Sequence, residues 1–272
     1  MARAITEQRF NVALADGADL TGWVEGVGPT ALLLISGLGG TGSFWAGASR
    51  VLSRQFKVVR FDQRGIGAST RGQAVCSIVR LAEDCLAVLD AAAIERCVVL
   101  GHSTGGCIAQ VLATIAPQRA GALILSASWL SPSRYMGALF RARRDLLARM
   151  PDVYAASAAL LSYPPAWLEA NWSIVEASVS TAPRSQAARE VVRERIDALL
   201  SFDGRAEAGA LDLPVLVLGA RDDAIVPAFL QQALDRALPD SRLVLFEDGG
   251  HFYPVSRPDA FTAEVANWIG TL

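Results

Sequence analysis

The sequence predicts an α/β chain: a mostly parallel central sheet flanked by helices, with a helical lid inserted after the sixth strand. Three observations carry this. Short, mostly apolar runs recur along the chain, each closed by a polar or glycine-rich turn and followed by a longer helical pattern. The opening stretch alternates instead, as an antiparallel pair does. The rhythm then breaks once, over about residues 132–205, where helical patterns follow one another with no strand between them. With 272 residues the chain is long enough to bury one large core.

The elements follow in order. Arg9 to Glu25 alternates apolar and polar residues and turns at Asp16-Gly17, the pattern of a hairpin. Ala31–Ile35, Lys57–Phe61, Cys97–Leu100, Ala122–Leu125, Val215–Leu218 and Arg242–Phe246 are apolar at nearly every position. That is what strands covered by helices on both faces require. Helical patterns over Ile78–Ala92, Gly105–Ile115, Ala228–Ala237 and Pro258–Leu272 supply the covering layers. From Pro132 to Arg205, Arg, Ala, Leu and Trp dominate, and Pro164-Pro165 makes a sharp break. Because the sheet resumes at Val215, the region reads as a lid over the carboxyl ends of the strands, where open α/β sheets bind ligands. The expected division is a core of 1–131 with 206–272, and a lid of 132–205.

Composition narrows the function classes. Hydrophobic residues make up 52% and charged residues 19%, with a net charge of −2, so there is no electrostatic footprint for nucleic acid or an anionic membrane. Apolar runs such as Ala31–Ile35 fall far short of the ~18 residues of a membrane span. The N-terminus lacks the apolar stretch of a signal peptide, so the expected location is cytoplasmic. The chain has neither a GxxxxGK[ST] loop nor a GxGxxG after a strand, and no cofactor is expected. Cys76, Cys85, Cys97 and Cys107 form no CxxC pair and have only two histidines beside them. They read as core residues, with no metal site. The expected partner is a small-molecule substrate, and the expected state a monomer or homodimer.

Chemistry concentrates at Gly101-His102-Ser103-Thr104-Gly105, which follows a strand and precedes a helix. That setting forces a serine into a tight strand-to-helix turn, exposes its hydroxyl and places the backbone N–H of Thr104 where an oxyanion develops. A serine hydroxyl needs a base. His102 adjoins Ser103, where the turn points its ring away from the hydroxyl, which leaves His251, just after the last strand. The strand Val215–Leu218 leads into Asp222-Asp223, and a carboxylate there can hold the His251 tautomer. Asp223 is preferred, with Asp222 as its solvated neighbour. Lys57 is the only lysine among 25 basic residues and opens a strand, so it is no alternative base. Leu38, in the turn Ser36-Gly37-Leu38-Gly39-Gly40-Thr41-Gly42, is the candidate for the second oxyanion N–H.

Together, Ser36-Gly37-Leu38-Gly39, the run Asp62-Gln63-Arg64-Gly65-Ile66-Gly67-Ala68-Ser69, the elbow, the Asp223 to Pro227 spacing and Gly249-Gly250-His251 resemble the α/β-hydrolase superfamily. The resemblance implies Ser-His-Asp hydrolase chemistry, a structural role for Asp62–Ser69, and an acid four residues before a proline, which again selects Asp223. Within the superfamily, Leu34–Gly40, Gly42-Ser43-Phe44-Trp45, Ser128-Trp129-Leu130 and Leu161–Trp167 are similar to the aminoacrylate/carbamate hydrolases of pyrimidine utilisation. That likeness implies a small acyl, carbamoyl, enamine or ester substrate. Short-chain esterase or enol-lactonase activity is the alternative, and a perhydrolase, lyase or ligand receptor on the same fold is a further one. Trp129, Tyr163, Trp167 and Trp172 are expected to narrow the pocket. Arg134 and Arg141, seven residues apart on one helix face, are candidates to hold a substrate carboxylate.

Overall fold

The computed structural model describes residues 7–272. Eight strands form one sheet: β1 (Gln8–Ala13), β2 (Asp19–Glu25), β3 (Ala31–Ile35), β4 (Lys57–Phe61), β5 (Cys97–His102), β6 (Ala120–Ser126), β7 (Val215–Ala220) and β8 (Ser241–Phe246). Their order is β1-β2-β4-β3-β5-β6-β7-β8. β1 pairs antiparallel with β2 and β2 with β4, and every pairing beyond is parallel. Gly17, at φ +84°, turns the hairpin after Asp16.

The continuous apolar runs are explained by two cores, one on each face. Leu33, Ile35, Val59, Phe61, Val99, Leu123, Leu125, Val215 and Val217 point to one side, and the residues between them to the other. The helices are α1 (Ala46–Leu52), α2 (Ile78–Ala91), α3 (Thr104–Ile115), α4 (Arg134–Arg149), α5 (Pro151–Ser162), α6 (Pro165–Ala170), α7 (Ser173–Ser180), α8 (Gln186–Ser201), α9 (Ala228–Ala237), α10 (Tyr253–Ser256) and α11 (Pro258–Ile269). The larger core takes residues from α2, α3 and α9, and the smaller from α1 and α11. Element boundaries fall close to those expected, although β5 runs on to His102 and the last helix stops at Ile269.

Helices α4 to α8 follow β6 and precede β7 with no described strand among them. Met136, Phe140, Leu147 and Tyr154 from α4 and α5, with Ile196 and Leu199 from α8, join the larger core. Ala159, Leu168 and Val175 make a small core of their own. Among the described residues, no helix is long and apolar enough to cross a membrane, and no cluster of His, Cys, Asp and Glu suits a metal ion.

Candidate active site

Ser103 sits between the end of β5 and the start of α3 at φ 56°, ψ −123°. A non-glycine residue pays for this left-handed conformation with strain, tolerated only where the surroundings hold it. Here the Ser103 N–H donates to the Ser126 carbonyl at 2.7 Å. The turn also needs bare backbone on both flanks. A Cβ at Gly101 would lie 2.1 Å from the Gly105 carbonyl oxygen, and one at Gly105 would lie 2.3 Å from that of Ile35.

His251 follows β8 on the loop Gly249-Gly250-His251, and its Nδ1 donates to Asp223 Oδ2 at 2.8 Å. The other oxygen, Oδ1, accepts the N–H groups of Ile225 and Val226, both at 2.8 Å. The acid is thus fixed before the imidazole meets it, and Nε2 is left for chemistry. Ser103, Asp223 and His251 are buried at 5%, 4% and 3% exposure. No hydrogen bond joins Ser103 to His251 among the described residues; such contacts commonly tighten only when substrate binds.

Gly37, in the turn after β3, faces the serine: a Cβ there would stand 2.9 Å from Ser103 Cβ and 3.4 Å from its Oγ. The next residue is Leu38. Neither its N–H nor that of Thr104 donates to another group among the described hydrogen bonds. Both sequence-selected donors therefore remain free.

His102 does turn away. Its Nδ1 bonds Ser126 Oγ at 3.0 Å, which in turn meets the Tyr253 hydroxyl at 2.6 Å. The ring lies on Phe44 and 4.9 Å from that of His251. Burial, then the nearby His251, holds its pKa well below the usual histidine range, so it stays neutral. Asp62 is structural, as the resemblance implies: its carboxylate accepts the N–H groups of Gly42 at 2.7 Å and Ala68 at 2.8 Å.

The substrate candidates separate. Tyr163 lies against Phe252, which adjoins His251, and stacks on Trp167 at 4.7 Å. Trp129 is wholly buried in the larger core. Trp172 is 47% exposed, so it does not narrow the pocket as expected; it stands just ahead of the short α7 and turns to solvent. Arg134 and Arg141 do share a face of α4. They line an open cleft of about 480 Å³ with Pro132, Ser133, Gly137 and Leu200, and none of Ser103, Asp223 and His251 lines it.

Sequence reasoning missed Arg195, took Asp222 for a merely solvated neighbour, and passed over Arg143 in favour of Arg134 and Arg141. Asp222 is exposed, yet its carboxylate accepts the N–H groups of Gly249 at 3.1 Å and Gly250 at 2.9 Å, bracing the His251 loop. Arg143 is buried with its guanidinium 4.6 Å over the Tyr154 ring, and its Nε and Nη1 have no partner. Arg195 is buried against the Gly37-Leu38 turn. No local motif marks any of them: Asp222 and Arg195 act through partners distant in sequence, and the setting of Arg143 depends on how α4 packs on α5.

Comparison with known proteins agrees with this geometry. A family model for the α/β hydrolase fold matches residues 30–258. The chain is 33% identical to the "Putative carbamate hydrolase RutD" of Azorhizobium caulinodans, over 94% of this chain and 96% of that one. It is 36% identical to the protein of the same name from Cronobacter turicensis, over 87% of this chain and 89% of that one. A hydrolase structure from Pseudomonas aeruginosa superposes with a TM-score of 0.85 at 28% identity, covering 99% of this chain and all of the other. The enol-lactonase of Burkholderia xenovorans superposes with a TM-score of 0.86, covering 96% of this chain and all of that one, but at 23% identity it speaks for the fold alone.

Proposed function

Since this chain belongs to the α/β-hydrolase family and is a hydrolase, we propose that it works by Ser-His-Asp acyl-enzyme chemistry on a small acyl, carbamoyl, enamine or ester substrate. The observation that carries the reading is the strained Ser103 at the elbow, in one buried site with an imidazole whose free nitrogen is Nε2. For an ester or carbamoyl substrate, Ser103 Oγ attacks the carbonyl carbon as His251 Nε2 takes the hydroxyl proton. The Asp223 carboxylate stabilises the imidazolium so formed. The carbonyl oxygen gathers the negative charge and receives the N–H groups of Leu38 and Thr104. On collapse of the adduct, His251 returns the proton to the leaving group. Water then repeats the attack on the acyl-enzyme, and Ser103 recovers its proton. Helices α4 to α8 act as the lid.

Two features support a small, anionic substrate within this class. Relatives at 33–36% identity carry the name carbamate hydrolase. The insertion also buries Arg143, whose Nε and Nη1 have no hydrogen-bond partner among the described residues. Buried cations are normally paired, so unbonded guanidinium N–H groups suit an incoming carboxylate. Arg134 and Arg141, on their open cleft, are the competing place for that carboxylate.

The test is Ser103→Ala. The purified, folded variant should lose about three to six orders of magnitude in kcat on short esters, and His251→Ala about as much, because the two act as a unit. Retention of most activity in Ser103→Ala would overturn the mechanism.

A further inference from the structure

Arg195, on the last helix of the insertion, holds the turn that carries the proposed oxyanion donor. Its side chain is 1% exposed. Nε donates to the Leu38 carbonyl at 2.8 Å, and Nη2 donates to the Gly37 carbonyl at 3.1 Å and to Gln63 Oε1 at 2.6 Å. Gln63 extends the restraint, donating from Nε2 to the Ser36 carbonyl at 2.6 Å and from its backbone N–H to the Gly40 carbonyl at 2.9 Å. Two side chains thus fix the carbonyls of a single turn.

The consequence follows from peptide geometry. In a trans peptide the C=O of one residue and the N–H of the next point in opposite directions, and none of the described peptides is cis. Tying the Gly37 carbonyl to Arg195 therefore aims the Leu38 N–H away from α8. The Gly37 Cα already faces Ser103, within 3.4 Å of Oγ for a Cβ built there.

Packing alone does not explain an arginine here. A buried guanidinium with no carboxylate partner is costly to desolvate, and an apolar side chain of similar volume is often no less stable. One nitrogen, Nη1, makes no hydrogen bond at all. The charge has value where it orients the turn.

We propose that Arg195 is a positioning residue: it fixes the Gly37-Leu38 peptide so that the Leu38 N–H meets the oxyanion. The proposal rests on Ser103 being the nucleophile. Its neighbour Glu194 supplies the control. Glu194 binds Arg71 at 2.7 and 2.9 Å, so it ties α8 to the body without touching the turn.

The experiment compares Arg195→Met, Arg195→Lys and Glu194→Gln by kcat and KM on p-nitrophenyl acetate. It adds affinity for a short trifluoromethyl ketone, whose serine adduct carries the oxyanion. Losing one oxyanion donor costs about 100- to 1000-fold in kcat. Arg195→Met should show a loss approaching that, with KM within about threefold and ketone affinity falling in parallel. Arg195→Lys, which keeps the charge but not the fork, should lie between it and wild type. Glu194→Gln should keep kcat within about threefold even where it lowers Tm. Folded Arg195→Met with unchanged kcat and ketone affinity overturns the proposal, as does an equal kcat loss in Glu194→Gln. Should Arg195→Met not fold, Arg195→Lys decides: loss of kcat at constant KM supports the role, and wild-type kcat overturns it. Failure of the underlying reading is separately visible, because wild-type Ser103 would then not be labelled by a fluorophosphonate.

Discussion

Asp223 gives one oxygen to two backbone N–H groups and the other to His251, while Asp222 beside it holds the two N–H groups that precede the imidazole. Replacing either carboxylate by an amide therefore breaks a different thing. Asp223→Asn removes the charge that stabilises the imidazolium and the bond that sets its tautomer, and should cost about 10⁴ in kcat. Asp222→Asn leaves the imidazole its partner and loosens only the loop, so its loss should stay within about tenfold while Tm falls. Steady-state kinetics with thermal melts on both variants checks the ranking, and the reverse ranking would move the acid by one residue. Ser103, His251 and Asp223 were legible because each sits at a strand end with a local pattern around it. Arg195 and Gln63 were not: they lie 132 positions apart, and their meeting exists only in the folded chain.

At the level of elements, the sheet was legible because its burial is symmetrical. Strands covered on both faces read as unbroken apolar runs, and the hairpin, covered less completely, read as alternation. Beyond the pairing of β2 with β4, what ties the hairpin turn to the body could not be read, since it is a charge cluster contributed by three separate segments. Arg64 forms a bidentate pair with Asp84, 2.6 Å to each oxygen, and reaches Asp16 in the hairpin turn at 2.7 Å. The hydrogen bond from Arg64, then that from the Ala74 N–H, holds the Asp16 carboxyl well below the usual carboxylate range. Its folded pKa is depressed, so its contribution is present above the unfolded value of about 3.9 and is lost as pH falls further. Asp16→Asn should therefore lower stability by about 1 kcal/mol at neutral pH. The gap from wild type should hold down to about pH 5 and narrow below about pH 4. Melts across that range decide it: a gap that persists unchanged to pH 3 would mean that the charge is not what Asp16 contributes.

Over the whole molecule, the insertion meets the core on both sides of the site. At one end Arg195 holds the Gly37-Leu38 turn. At the other the Ser162 carbonyl accepts the Phe252 N–H at 2.9 Å, next to His251, and Tyr163 packs on Phe252. Ser103 and His251 are nearly inaccessible, so if the insertion is the proposed lid, bulky acyl groups have to displace it further than small ones do. Wild-type kcat/KM on p-nitrophenyl esters should thus drop at least about tenfold from acetyl to octanoyl, a cost of about 1.4 kcal/mol in the transition state. Tyr163→Ala should narrow the difference by removing part of the lid. Charge adds a second axis. If the unpaired guanidinium of Arg143 receives a substrate carboxylate, short carboxylate-bearing substrates should outrun neutral ones of equal size, and Arg143→Met should abolish that preference. The same change should leave Tm level or raise it, because it removes a buried cation that has the Tyr154 ring beneath it but no hydrogen-bond partner for Nε and Nη1. Arg134→Ala and Arg141→Ala should keep the preference, since no residue of the triad lines their cleft. Loss of the preference in those two variants, with Arg143→Met unaffected, would place the carboxylate in the open cleft. Octanoyl esters cleaved as fast as acetyl would mean that the lid does not limit access at all.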